Sequence, residues 1–146
     1  MMTRLPRPRL VGAALLAFGL GLGTAAAAGL APATSPDQAA AEGLHIFNHD
    51  QFGGVRTCSS CHVNGGTTAG HLPGGAKIPS LEGVAAQFPK YNGHAHRVVT
   101  LEQQLVHCIR GGLQGKPPGA SSPQMTDLIA YLTKLSKGAK MGQQFK

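Results

Sequence analysis

Two cysteines three positions apart, with a histidine directly after the second, constrain this chain more than any other feature: Cys58-Ser59-Ser60-Cys61-His62. Thiols at that spacing can each add to one vinyl group of a porphyrin. The adjacent imidazole is then delivered to one face of the ring, where it ligates the iron. C-x-x-C-H is accordingly the signature of covalent c-type haem attachment. A redox dithiol would want a βαβ setting, which is absent from the pattern. A structural zinc site would want a second ligand pair at matching spacing, and only His71 and His94/His96, in glycine-rich sequence, are on offer. One covalently bound haem c is expected, attached through Cys58 and Cys61 with His62 as proximal ligand.

That attachment belongs outside the cytoplasmic membrane, and the N-terminus carries a matching address. Arg4, Arg7 and Arg9 precede an apolar core from Leu10 to Leu22, followed by small residues that include Ala26-Ala27-Ala28. This order is that of a secretory signal peptide. The rival, an uncleaved membrane anchor, is disfavoured because the strongly apolar part falls short of the ~20 residues a span needs. The expected organisation is a signal peptide at 1–28, a linker at 29–39, a cytochrome c-like domain at 40–142 and a tail at 143–146. The location would be periplasmic, with no membrane association after cleavage.

Cleavage would leave 118 residues, enough for one domain. Six aromatic residues and no Trp give that domain little to fill a core, and a haem would supply the missing apolar bulk. The net charge of +7 includes three arginines of the leader, so ten basic against six acidic residues, +4, would remain. A mildly basic surface suits docking on an acidic redox partner. No dense Lys/Arg run and no basic-aromatic interleaving points to nucleic acid.

Helix signals occur three times. Ser35-Pro36-Asp37 supplies an N-cap and a first-turn proline, and Ala40, Leu44 and Phe47 follow at helical spacing, ending near Asn48 to Asp50. Thr100-Leu101-Glu102-Gln103 is a capping box ahead of Leu101, Leu105 and Cys108, which share a face, with Gly111-Gly112 as terminator. Ser122-Pro123 opens a last helix whose stripe is Met125, Leu128, Ile129, Leu132 and Leu135, stopped by Gly138. Val63 to Asn92 reads as wrapping loop with a short helical turn between Pro79 and Gln87. The fold class is all-α: a single-haem cytochrome c-like domain of about three main helices with long Gly/Pro-rich loops.

The distal side of the iron has several candidates. Met125 lies on an apolar stripe, where methionine is more often packing than ligand. Met141 sits in a Gly/Lys tail, and His94 and His96 lie in loop. His107 neighbours Cys108, but successive helical residues point about 100° apart, so it should face away from Leu101, Leu105 and Cys108. Cys108, the cysteine left over, is on that face. Spacing alone leaves it open between a thiolate ligand and an inert buried hydrophobe.

Several runs beyond the haem motif resemble one group. These are Ile78-Pro79-Ser80-Leu81, Phe88-Pro89-Lys90-Tyr91, Val99-Thr100-Leu101-Glu102 with Cys108, Gly115-Lys116, Ser122-Pro123-Gln124-Met125, Ala130-Tyr131-Leu132 and Leu135-Ser136-Lys137-Gly138. From Ala40 to Gly142 the chain resembles the sulfur-oxidation cytochromes, the thiosulfate dehydrogenases and the SoxA subunit of the SoxAX complex. The resemblance implies that His62 and Cys108 are the two axial ligands of a His/Cys haem, and that another cytochrome subunit is a partner. It is incomplete: this chain has one haem motif. Gly111 and Gly112 also stand where the thiosulfate dehydrogenase pattern after the cysteine has Arg and Ser.

The expected function is therefore a periplasmic monohaem cytochrome transferring electrons to or from redox partner proteins, within or beside a sulfur-compound oxidising system, and a carrier rather than an enzyme. The alternative is a thiosulfate-oxidising enzyme in which Lys116, Arg110 or Arg97 would stabilise the anion. A haem-based ligand sensor ranks last, because no signalling domain is recognisable in the sequence.

Overall fold

The computed structural model describes residues 32–142; the expected leader (1–28) and tail (143–146) lie outside the described residues. Helix α1 spans Pro36–His49, α2 Leu101–His107 and α3 Pro123–Lys134. Each begins at its sequence punctuation. The Ser35 hydroxyl accepts from Gln38 N–H at 3.1 Å, Thr100 from Gln103 N–H at 3.2 Å, and Ser122 from Met125 N–H at 3.2 Å. Gln103 closes the reciprocal bond, its amide oxygen accepting from Thr100 N–H at 3.1 Å. One orphan donor at each helix start is thereby satisfied.

The core lies where α1 crosses α3. Ile46 and Phe47 pack with Met125, Leu128, Tyr131 and Leu132, and Leu105, Ile109 and Leu113 join from α2 and the turn after it. Gly43 sets how closely the two long helices approach. A Cβ there would run into the carbonyl oxygen of Asp127 and lie 2.8 Å from the Cβ of Tyr131. Only a residue without a side chain lets the backbone of α1 rest on that of α3.

The all-α expectation holds for this core and fails in the loops. Strands β1 (Gly70–His71) and β2 (Lys77–Ile78) form one antiparallel ribbon, and β3 (Lys90–Asn92) and β4 (Arg97–Val99) form another, with Tyr91 opposite Val98. Segments of two or three residues are too short to show an alternating pattern. The second ribbon is closed by side-chain chemistry instead: the Asn92 carbonyl oxygen accepts from His94 N–H at 2.9 Å and Ala95 N–H at 3.0 Å, an Asx turn. The expected helical turn between Pro79 and Gln87 is a 3₁₀ turn at Val84–Gln87. It is tied to the end of α3 by Gly83 N–H to Leu135 O at 3.1 Å and Ala85 N–H to the Ser136 hydroxyl at 2.9 Å. Among the described residues no helix is long and apolar enough to cross a membrane.

Gly43→Ala is expected to destabilise the haem-loaded protein by about 1–3 kcal/mol, the usual cost of overpacking a filled contact. Thermal denaturation reads this as a lower melting temperature. An unchanged value would mean that the two helices are not held at backbone contact.

Candidate functional site

Cys58–Ser60 form a 3₁₀ turn, and the two residues between the cysteines build it. The Ser60 hydroxyl accepts from Thr57 N–H at 3.1 Å, which caps the turn from within. The Ser59 hydroxyl donates to the Asn48 carbonyl at 3.3 Å, fastening the turn to the C-terminal end of α1. Cys61 N–H and His62 N–H both bond to Cys58 O, at 3.2 and 3.0 Å. The His62 ring lies 6.1 Å from that of Phe47, centre to centre. Phe47 in turn lies 5.5 Å from the Tyr131 ring. The Tyr131 hydroxyl donates to Gly65 O at 2.6 Å, so α3 holds the chain just beyond the histidine. Behind the turn, Gly70 of β1 lies so close to the Cys61 carbonyl that a Cβ would collide with it.

Cys108 sits where α2 gives way to a single π-helical turn, Cys108–Gly112, closed by Leu113 N–H to Cys108 O at 3.1 Å. Such turns insert a residue into a helix and recur at functional sites. The Gln104 side-chain amide donates to the Cys108 sulfur at 3.4 Å, and its carbonyl oxygen accepts from the Asn92 amide at 3.3 Å. The second bond fixes which end of the Gln104 amide meets the sulfur.

Both elements open onto one cavity of about 440 Å³. Cys58, Cys61 and His62 line it, as do Cys108, Gln104 and the apolar side chains of Phe47, Leu81, Leu101, Leu105, Leu113 and Leu132. A second cavity of about 380 Å³ also counts His62, Cys108 and Gln104 among its walls. The volume lies in the ~300–1,000 Å³ range of small-molecule and cofactor sites.

The residues fit a haem. His62 Nδ1 is a buried polar atom with no hydrogen-bond partner, which is costly unless another group engages the ring. Burial lowers the His62 pKa and so favours the neutral, ligating imidazole. Burial also pushes the Cys58 thiol up to about 12, with the nearby Cys108 adding to the rise. A thiol held neutral is the reverse of a redox dithiol, whose attacking cysteine is activated by a lowered pKa.

The other candidates divide cleanly. Met125 is fully buried in the α1–α3 core and Met141 is 72% exposed; neither lines the cavity. Cys108 is half-buried rather than inert core. His107 departs from expectation: it is exposed, yet it contributes to the rim of the cavity. It also lines a neighbouring cleft of about 250 Å³ with Asn92, His94, Arg97, Gln103, Gln104 and Arg110. Lys116 lies elsewhere, its backbone N–H bonded to Phe52 O at 2.8 Å.

An apolar crevice with two thiols and an imidazole on one short turn, set in a small helical fold, defines the class as a c-type cytochrome domain. Residues 42–141 match the SoxA/TsdA cytochrome c domain family, and the chain belongs to it; the domain carries covalently bound haem c. The chain is 30% identical over 93 residues to the thiosulfate dehydrogenase of Allochromatium vinosum, covering 64% of this chain and 33% of that protein. It is 28% identical over 119 residues to the thiosulfate dehydrogenase of Psychrobacter arcticus, with coverage of 75% and 34%. Among solved structures, the as-isolated thiosulfate dehydrogenase (TsdBA) of Marichromatium purpuratum superposes with a TM-score of 0.60 at 22% identity. That match covers 76% of this chain and 25% of the other, and it supports the fold. The chain thus spans about a third of the length of the curated relatives it matches.

Proposed function

We propose that this chain is an exported, periplasmic monohaem cytochrome that passes electrons to or from a protein partner in a sulfur-oxidising system. Cys58 and Cys61 hold the porphyrin, His62 is the proximal ligand and Cys108 the distal one. The observation that carries this is that His62 and Cys108 line the same apolar cavity while Gln104 presents a hydrogen-bond donor to the sulfur. When bound, the haem supplies one-electron redox chemistry. The chain's part is to fix both ligands, exclude water with apolar walls and set the potential. A thiolate ligand favours a low potential, whereas His/Met ligation raises it. The support for a protein partner is the excess of basic over acidic residues, which suits docking on an acidic redox protein.

A second reading, oxidation of thiosulfate at the haem, is favoured by the cleft beside Gln104. Arg97, Arg110, His94 and His107 face it without a carboxylate among its lining residues, which suits an anion. The cleft supplies charge that Gly111 and Gly112 do not.

Expressed with a haem-maturation system, the chain should gain the mass of one haem, and the double variant Cys58→Ser/Cys61→Ser should yield colourless polypeptide. A coloured double variant would remove the attachment assignment.

Low-temperature EPR of the oxidised protein should change its low-spin signature on Cys108→Met, with a rise in midpoint potential. An unchanged spectrum would remove the thiolate. Gln104→Leu should keep the thiolate signature and lower the potential, because a hydrogen bond to the sulfur withdraws electron density from it.

Mixed with thiosulfate and ferricyanide, the haem-loaded chain alone should show no turnover. Turnover abolished by Cys108→Ala, with haem retained, would replace the carrier reading with the enzymatic one.

A further inference from the structure

His45 and His49 lie one turn apart on α1, outside the haem cavity and both exposed. Residues four apart share a helix face. Their ring centres are 4.7 Å apart and the planes are tilted by 40°. That separation is one that two imidazoles sharing a metal ion can have. With metal–nitrogen bonds of about 2.0–2.1 Å and ring centres about 1.1 Å further on, two imidazoles on one ion have centres about 4.5 Å apart at a right angle and about 5.2 Å at the tetrahedral angle. The observed pair falls between, nearer the right angle. We propose that His45 and His49 form a two-imidazole chelate for a divalent transition-metal ion of the Cu²⁺ or Ni²⁺ kind.

Two further features support the site. The scaffold is rigid on its inner side: Ile46 and Phe47, between the two histidines, are 3% and 2% exposed, so binding needs no ordering of backbone. The pair occupies the C-terminal part of α1, His49 being its last residue, where the helix dipole favours a cation.

Among the described residues no group of three or more metal-ligating side chains converges. Water therefore completes the coordination. Such a donor set selects by ligand type: imidazole suits Cu, Ni and Zn, and the affinity order places Cu²⁺ highest. The competing account is simple ring packing, since 4.7 Å also lies within the ~4.5–7 Å range of aromatic pairs. Packing needs no metal and gives no response to one.

The test uses the oxidised, haem-loaded protein without a polyhistidine tag, titrated with Ni²⁺ in a calorimeter and melted with and without it. One ion should bind per chain, and the melting temperature should rise with Ni²⁺ because the ion binds the folded helix in preference to the unfolded chain. His45→Ala and His49→Ala should each weaken binding about tenfold or more and remove the thermal gain, while melting like the parent in the absence of metal. The double variant His94→Gln/His96→Gln should behave as the parent. Cu²⁺ EPR should show coupling to two nitrogens in the parent and to fewer in either alanine variant. Unchanged Ni²⁺ affinity in His45→Ala, or its loss in the His94/His96 variant instead, would overturn the proposal.

Discussion

The site depends on a backbone seam between two loops distant in sequence. Val55 N–H bonds to Leu113 O at 3.0 Å, Lys116 N–H to Phe52 O at 2.8 Å, and the Arg56 guanidinium to Gly112 O at 3.2 Å. One strand of the seam runs into the haem motif and the other runs out of the π turn that carries Cys108. Contact this close demands glycine: a Cβ on Gly54 would meet Leu113 O, and one on Gly115 would lie 2.8 Å from Gln51 O. The seam therefore fixes the cysteine turn relative to the Cys108 turn before any cofactor is considered. Preorganisation of that kind places ligands by the fold rather than by the metal.

What the sequence disclosed follows from how local the governing chemistry is. Helix starts were legible because an N-cap is an exchange between residues three apart, and Ser35, Thr100 and Ser122 each make the bond their spacing implied. The haem motif was legible because its spacing is itself the chemistry. The β3–β4 ribbon was not, since three-residue strands carry no periodicity and the signal lay in one Asn side chain. The π turn escaped for a related reason: nothing in Cys108-Ile109-Arg110 announces an extra residue per turn, and the regular 100° step that placed His107 away from the ligand face takes no account of how widely the cavity mouth opens. Gln104 carries no signal of its own, glutamine being an ordinary helix former. The one available clue was its position four residues before Cys108, where helical side chains meet.

Electrostatics separates the cavity from its surroundings. Inside, burial favours a neutral Cys58 thiol and a neutral His62 imidazole, and the walls are largely aliphatic. A buried charge unpaired in such a place would be costly, so a thiolate at Cys108 requires a counterweight. In the proposed His/Cys haem the iron would supply it, with the Gln104 amide as a second partner. Cys108 is half-buried with the Gln104 amide already on its sulfur, and it still opens onto the cavity.

Gln104 belongs at once to the haem cavity and to the neighbouring cleft that Arg97 and Arg110 line. Its amide is held by Asn92, which also shapes the turn between β3 and β4. An anion arriving in the cleft would meet the guanidinium groups of Arg97 and Arg110. The glycines at 111 and 112, where an added Cβ meets nothing within 4 Å, leave that side of the cavity wall bare. Gln104 and His107 thus line both spaces, and Gln104 is the one hydrogen-bonded to the Cys108 sulfur.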